Sequence, residues 1–286
     1  MVDINCKIVM FEGESMRIYR TFPEGKTKVL TLSYDDGRQA DRRLVSILNK
    51  HGIKGTFNLN YGLMKQAERV GMEEVAELYK GHEIATHAYR HPTLARCPAT
   101  QIYREILEDK KGWESLTGRP VKGHAYPNGS YSEEVKSIFK SVGIAYARTV
   151  NENAALGINR AFDLPTDWLE WNATCHHNHN LMALAERFVE FKSIHYLKMM
   201  YVWGHSYEFD NDNNWDLIEK FCEYIGGRED IWYATNIEIK EYIDVCDRLE
   251  FAADESFVYN PSATDAWLSV DAQTVKVPSG SLVSLV

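Results

Sequence analysis

Two adjacent carboxylates, Asp35 and Asp36, are the first residues along the chain whose types and spacing suit catalysis. They follow the apolar run 29–34 and precede Gly37. Neighbouring residues that leave a strand point in opposite directions, so the two carboxylates suit different tasks, one as a metal ligand and one as a proton acceptor. An Asp-Gly pair is usually a hairpin turn, but a helical pattern follows this one.

Two histidines four residues apart, His87 and His91, offer nitrogen ligands for a metal ion. This spacing is common in zinc sites. Pro92 disfavours helical backbone at the preceding residue, so we expect His91 at the end of a single turn rather than inside a helix. With Asp36, the two histidines supply three ligands and leave positions for water and substrate, as catalytic zinc sites do.

A third histidine, His205, follows the apolar run 199–203 and lies between Trp203 and Tyr207. No second histidine stands beside it in the sequence, which favours proton transfer over metal binding. A buried structural histidine is the alternative.

The elements that must position these side chains alternate between strand and helix. Strands are predicted where apolar runs occur, at 29–34, 53–59, 82–86, 122–126, 144–148, 199–203 and 231–234. Amphipathic patterns between them predict helices, including one at 181–196. This α/β pattern favours a (β/α) barrel of seven or eight strands. In such folds functional side chains follow the carboxyl ends of strands, so these groups are expected at one rim.

The last part of the chain has a different pattern. We assign residues 1–250 to the barrel and residues 251–286, with their short alternating runs, to a C-terminal antiparallel β appendage. Because about 35 residues rarely fold alone, we expect the appendage to pack on the barrel.

Composition narrows the partners. The 286 residues carry a net charge of −9 and no basic block, which disfavours nucleic acid and anionic membranes. No run approaches the roughly 20 apolar residues of a membrane span, and the chain start lacks a signal-peptide pattern. Five widely spaced cysteines, the first of them Cys6, argue against a disulfide framework. A cytoplasmic location is the simpler expectation, with a removed leader left open.

The motifs and their order resemble one known family. They are S-Y-D-D-G at 33–37, H-A-Y-R-H-P at 87–92, A-Y-P-N-G at 125–129, T-D-W at 166–168 and W-G-H at 203–205. Residues 25–250 resemble the polysaccharide deacetylases, also called NodB-homology or carbohydrate esterase family four enzymes. The resemblance implies a deformed (β/α) barrel that removes acetyl groups from N-acetylated or O-acetylated carbohydrates with one divalent metal ion, usually zinc.

The resemblance also implies roles for single residues. Asp35 would be the general base and His205 the general acid. The metal ligands would be Asp36, His87 and His91.

Softer assignments concern the substrate and the orientation of His205. The backbone N–H of Asn128 would stabilise the oxyanion, with Tyr126 of the same loop near the substrate, and Trp168 would form a wall of the acetyl pocket. Asp167 would orient His205, with Asp163 as its competitor.

The sequence departs from the family in its third motif. Ala125 stands where the family has an arginine that orients the base, and Asn128 replaces an aromatic residue. Arg148, at the end of the next strand, is a candidate substitute, although a surface or ion-paired arginine is the favoured interpretation.

The segment T-C-H-H-N-H-N at 174–180 is dense in potential ligands. A second metal site is one interpretation, but adjacent histidines such as His176 and His177 do not readily face one ion. We favour a substrate-side loop in which His176 reaches the cleft.

Two other functions remain open. The same site could hydrolyse a small non-peptide amide, or the chain could be a non-catalytic carbohydrate-binding relative. Five converging polar groups weigh against the second, since a binding protein does not need them. The sequence leaves a homo-oligomer open.

Overall fold

A computed structural model describes residues 16–192 and 195–286. Cys6 and the N-terminal segment lie outside the described residues. The strands are β1 (Ile18–Thr21), β2 (Lys28–Asp35), β3 (Gly55–Leu59), β4 (Glu83–Thr86), β5 (Gly123–Ala125), β6 (Tyr146–Glu152), β7 (Trp171–Ala173), β8 (Cys175–His176), β9 (Lys198–Gly204), β10 (Ile231–Tyr233), β11 (Glu250–Phe251), β12 (Phe257–Tyr259), β13 (Ala266–Val270), β14 (Gln273–Val277) and β15 (Leu282–Ser284). The helices are α1 (Asp41–Lys50), α2 (Val75–Leu78), α3 (Ala99–Thr117), α4 (Glu133–Ser141), α5 (Leu181–Glu190), α6 (Glu208–Asn211), α7 (Trp215–Ile225) and α8 (Asn236–Asp247).

Parallel strands close into a barrel in the order β7, β6, β5, β4, β3, β2, β9, β8. β7 and β8 are two halves of one interrupted strand, separated by Thr174, and they pair with β6 and β9 respectively. The sheet therefore closes with seven strand positions. β10 lies beside the first half of β2, in line with β3. The predicted seven- or eight-stranded α/β barrel is confirmed, and the interruption at Thr174 is its deformation.

Side-chain alternation along β2 separates the outer core from the barrel interior. Leu30, Leu32 and Tyr34 are buried in the core cluster that includes the outer helices. Thr31 instead donates a hydrogen bond to Asn236 at 2.8 Å inside the barrel. Because the period of a strand is two, Asp35 shares the interior face of Thr31 and lies at its carboxyl end.

The interior of the barrel is filled by aromatic rings. Tyr146 of β6, Trp171 of β7 and Tyr201 of β9 are fully buried in one cluster. The next residues on the same faces of β6 and β9 are Arg148 and Trp203, two positions nearer the carboxyl ends. The aromatic layer thus forms the floor beneath the rim residues.

The C-terminal strands form antiparallel sheets. β13 pairs with β14 and with β1, and β12 pairs with β11 and β15. Val258, Leu268 and Val277 are buried against Val245 and Leu249 at the end of α8. The antiparallel appendage is confirmed as part of the fold, and the division of the chain at residue 250 stays a prediction.

Two parts of the sequence prediction differ from the structure. No strand is predicted between 148 and 199, but β7 and β8 lie there. The helix predicted at 181–196 ends at Glu190. In the described part of the chain, no helix combines the length and the apolar character that a bilayer span requires.

Replacing Leu268 tests whether the C-terminal sheet contributes to the stability of the whole fold. Its side chain is fully buried, so Leu268→Ala should lower the free energy of unfolding by about 2–5 kcal/mol in denaturant titration. Leu282 is 61% exposed, and Leu282→Ala should stay within about 0.5 kcal/mol of the parent. Equal effects of the two substitutions would show that the sheet does not pack as described.

Candidate active site

The turn after β2 separates the two adjacent carboxylates. Asp36 has a φ of 83° and Gly37 a φ of 63°, so the chain turns sharply at the end of the strand. The N–H of Asp36 donates to the carbonyl of Asn58 at 2.9 Å, which fixes where the turn begins. A Cβ on Gly37 would lie 2.9 Å from Leu59 Cδ2, so only glycine fits there without a shift.

Asp35 is buried and held by two donors. Asn58 Nδ2 donates to Oδ1 at 2.8 Å, and Arg148 Nη2 donates to Oδ2. Burial alone would raise the pKa of Asp35, but the charge of Arg148, with that of His205, holds it well below its ordinary value. The carboxylate is therefore ionised throughout the neutral range.

Arg148, the candidate substitute for the motif arginine, lies inside the barrel beside Asp35. Its side chain is 1% exposed, and its guanidinium lies 4.4 Å from the ring centroid of Trp203. The favoured interpretation of a surface arginine is wrong, because the alternation that turns Tyr146 into the barrel also turns Arg148 inward. The ion pair that was anticipated exists, and its partner is Asp35.

The structure brings together the three predicted metal ligands. The donor atoms of Asp36, His87 and His91 all lie within 4.8 Å of one another. His87 Nδ1 donates to the carbonyl of Ala125 at 2.7 Å, so its Nε2 lone pair is free to bind an ion. Burial lowers the pKa of His87 to about 4, which keeps the ring neutral. A carboxylate with two imidazoles fits a divalent ion such as zinc.

Buried side chains around this cluster fix its geometry. Asp109 of α3 accepts hydrogen bonds from the N–H groups of His87, at 2.9 Å, and Tyr61, at 2.6 Å. Arg69 Nη1 contacts the backbone carbonyl of Asp36 and lies 3.3 Å from Asp36 Oδ1. His91 has a φ of 59° and precedes the short 3-10 helix Leu94–Arg96, so it lies outside a regular helix, as Pro92 predicted.

His205 faces Asp35 on one side and an unforeseen acid on the other. Its Nε2 lies 4.0 Å from Asp35 Oδ2, and its Nδ1 lies 3.3 Å from Glu208 Oε1. Its backbone N–H also donates to Glu208 Oε2 at 3.0 Å. Burial acts to lower the pKa of His205, but Glu208 and Asp35 outweigh it and raise that pKa. The charged form of the His205 ring is thus favoured.

Asp167 does not orient His205, which corrects the prediction. Its carboxylate accepts hydrogen bonds from Lys136 at 3.0 Å and from the N–H of Leu169 at 2.8 Å. Lys136 belongs to α4, on the outside of the barrel, so this acid caps an outer turn. The competitor Asp163 pairs with Lys198 at 2.6 Å.

The structure also corrects the predicted substrate-site positions of Trp168 and Tyr126. Trp168 packs edge-on against Trp171, with Lys240 of α8 at 5.3 Å from its ring centroid. Tyr126 is 1% exposed, and its hydroxyl donates to the carbonyl of Leu169 at 2.9 Å. Both rings pack in structural clusters, whereas the ring of Trp203 lies 4.4 Å from the Arg148 guanidinium and 6.0 Å from the His205 ring.

The last two predicted residues lie near the rim. Asn128 is exposed, with a φ of 56°, and its side chain donates to Thr93 Oγ1 at 3.2 Å, which holds its loop beside the His91 loop. His176 is buried at the end of β8, and its Nε2 lies 3.0 Å from Glu208 Oε2. It therefore reaches the site through Glu208.

The fold and the site together define an α/β barrel with a carboxylate and imidazole cluster at its carboxyl rim. Residues 23–147 match the family model for polysaccharide deacetylase. The resemblance to this family is thereby confirmed over these residues, and the match covers the turn with Asp35 and both histidines of the Asp36 cluster.

Related proteins support the same family. The peptidoglycan-N-acetylglucosamine deacetylase PgdA of Listeria monocytogenes is 28% identical over 123 residues, which are 40% of this chain and 24% of PgdA. A chitooligosaccharide deacetylase of a Bradyrhizobium species is 25% identical over 122 residues, 42% of this chain and 54% of the relative. The match thus spans between a quarter and about half of each relative.

A solved structure shares the fold. The Xyl-CE4 domain of a multidomain xylanase from the hindgut metagenome of Trinervitermes trinervoides superposes with a TM-score of 0.52 at 16% identity, over 76% of this chain and 92% of that chain.

Removing the Arg148 charge should leave Asp35 buried without its partner. Arg148→Met should lower the free energy of unfolding at pH 7 by about 3–5 kcal/mol, and adding Asp35→Asn should recover part of that loss. Because the pKa of Asp35 is depressed only in the folded state, its stabilisation is present above the unfolded value of about 4 and is lost as the pH falls below it. The difference in the free energy of unfolding between the parent and Arg148→Met should therefore become smaller in acid. A pH-independent difference would contradict the ion pair.

Proposed function

We propose that this protein is a metal-dependent hydrolase that removes acetyl groups from an N-acetylated or O-acetylated carbohydrate. The observation that carries the proposal is the convergence of a buried ionised Asp35, a protonated His205 and the three donors of Asp36, His87 and His91 at one rim. The relatives named as deacetylases support the substrate class.

The residues of the proposed metal site are Asp36, His87 and His91. When bound there, a divalent cation such as Zn²⁺ lowers the pKa of a coordinated water towards about 7 and polarises a carbonyl oxygen. Asp109 and the Ala125 carbonyl hold His87 in the required orientation and tautomer.

Asp35 and His205 divide the proton transfers. Asp35 stays ionised and accepts a proton from the attacking water through Oδ2, whose position Arg148 and Asn58 fix. His205 carries a proton on Nε2 and gives it to the leaving amine or alcohol. Environments that push the pKa values of two neighbouring groups apart are typical of such acid and base pairs.

Two further residues would complete the substrate site. The backbone N–H of Asn128 would stabilise the oxyanion, because its loop is held beside the His91 loop by Thr93. Trp203 would form the aromatic wall of the pocket in place of Trp168, since its ring lies between Arg148 and His176.

A second candidate is the hydrolysis of a small non-peptide amide at the same site. The replacement of the motif residues by Ala125 and Asn128 favours a pocket that differs from that of the carbohydrate enzymes. A non-catalytic carbohydrate-binding protein is disfavoured, because Arg148 restores the pairing that the motif lost.

Acetate release from N-acetylated and O-acetylated sugar oligomers tests the function. Asp35→Asn should reduce kcat/KM by about 10²–10⁴-fold because it removes the proton acceptor, while one zinc equivalent stays bound. Asp167→Asn is the matched control and should keep the activity of the parent. Release that survives Asp35→Asn, or no release from any acetylated sugar or small amide, would contradict the proposal.

The role of His205 can be tested through the leaving group. A sugar amine is a poor leaving group and needs a proton, whereas an aryl alcohol does not. His205→Ala should therefore reduce turnover of the N-acetylated sugar by about 100-fold or more, and that of an aryl acetate by less than about fivefold. Equal losses on both substrates would assign His205 another role.

A further inference from the structure

The rim carries a second set of ligand-type side chains that the proposed mechanism uses only in part. His176, His205 and Glu208 each offer a donor atom, and these atoms lie within 4.8 Å of one another. Among the described residues, this set and the Asp36 cluster are the two that could hold an ion. We call it the Glu208 cluster.

Distances within the Glu208 cluster approach those of a metal site. His176 Nε2 lies 3.0 Å from Glu208 Oε2, and His205 Nδ1 lies 3.3 Å from Glu208 Oε1. A tetrahedral zinc ion with bonds of about 2.0–2.1 Å holds its ligands roughly 3.3 Å apart. A small ion can therefore be accommodated with minor side-chain movement.

A fourth, unpartnered donor points at the same carboxylate. His177 is fully buried between Tyr34 and Phe209, and neither of its ring nitrogens has a hydrogen-bond partner among the described residues. Its Nε2 lies 3.4 Å from Glu208 Oε2. A buried imidazole without a hydrogen-bond partner has a lone pair that a bound cation would satisfy.

The adjacent His176 and His177 face one carboxylate because the strand ends at this point. Adjacent residues diverge only while the strand continues, and β8 ends at His176. The chain turns there, with the N–H of His179 donating to the carbonyl of His176 at 2.9 Å. The rings of His176 and His177 consequently lie 4.4 Å apart, and both face Glu208.

We propose that the Glu208 cluster, with His177 as the fourth donor, is a second divalent-cation site that inhibits the enzyme when filled. The inhibition rests on the proposed function of His205. To act as an acid, His205 needs protons on both ring nitrogens, and a cation on Nδ1 replaces one of them. The neutral, metal-bound ring is a much weaker acid than imidazolium.

The two sites should differ in affinity. In the Asp36 cluster, His87 already presents a free Nε2 lone pair. In the Glu208 cluster, the N–H of Asn178 donates to His176 Nδ1 at 3.2 Å, so the ring proton is on Nε2 and must move before an ion binds. Loss of that hydrogen bond should make the second equivalent bind about tenfold more weakly.

The second site can be tested by removing metal from the full chain and titrating it with zinc. Calorimetry gives the affinity of each equivalent, and elemental analysis gives the number bound. The parent should bind two zinc equivalents. His176→Ala should bind one equivalent, with the affinity of the tighter site of the parent. Asp36→Ala should keep the weaker equivalent alone. His179→Ala is the matched control in the same turn and should bind two, since its ring is largely exposed and pairs with Glu152. His176→Gln serves if thermal unfolding shows that His176→Ala is misfolded.

Activity in the same titration tests the inhibition. Deacetylation by the parent should fall at least about fivefold as the second equivalent binds, while His176→Ala shows no fall relative to its own rate at one equivalent. A single equivalent in the parent, or a second one that survives His176→Ala, would overturn the proposal. If no substrate is turned over but Asp36→Ala still binds the weaker equivalent, the proposed function fails and the second site stands.

Discussion

The ion pair between Arg148 and Asp35 is the interaction on which the arrangement of the rim depends. Both side chains are buried, so each charge requires the other, and a single uncompensated charge at this depth would be costly. The pair links β6 to β2 across the barrel interior. Trp203 of β9 covers the guanidinium, so strands from three parts of the barrel fix the position of one carboxylate.

A second carboxylate, Glu208, organises the other half of the rim. Glu208 lies close to the rings of His176, His177 and His205, and its carboxylate accepts a hydrogen bond from the backbone N–H of His205. Asp35 and Glu208 thus lie on opposite sides of the His205 ring. The two carboxylates favour the protonated form of the His205 ring, whereas burial keeps the His87 ring neutral. Two imidazoles of the same rim therefore differ in charge.

Much of the fold could be predicted from the sequence, because long apolar strands and amphipathic helices have strong periodic patterns. The closing strand was missed since β7 and β8 have only three and two residues and are interrupted at Thr174. The cluster of Asp36, His87 and His91 could be predicted because its residues belong to the turn after β2 and the loop after β4, where motif and position agree.

The errors among single residues have one physical cause. A motif indicates which residues lie near a strand end, but not which face of the barrel their side chains occupy. Asp167 lies outside the barrel, Trp168 packs against Trp171 in the floor cluster beneath the rim, and Tyr126 is packed in another core cluster. Alternation from the buried Tyr146 could have identified Arg148 as an interior residue, and the three-residue spacing from His205 to Glu208 was a local signal of their contact.

We propose that Asp36, His87 and His91 hold a metal ion beside the Asp35 and Arg148 pair. Anomalous diffraction at the zinc edge, from crystals of protein loaded with one zinc equivalent, locates that ion. We expect one peak at bonding distance, about 2.0–2.2 Å, from a carboxylate oxygen of Asp36 and a ring nitrogen of each histidine. A peak elsewhere on the rim, or bound zinc without Asp36 among its ligands, would contradict it.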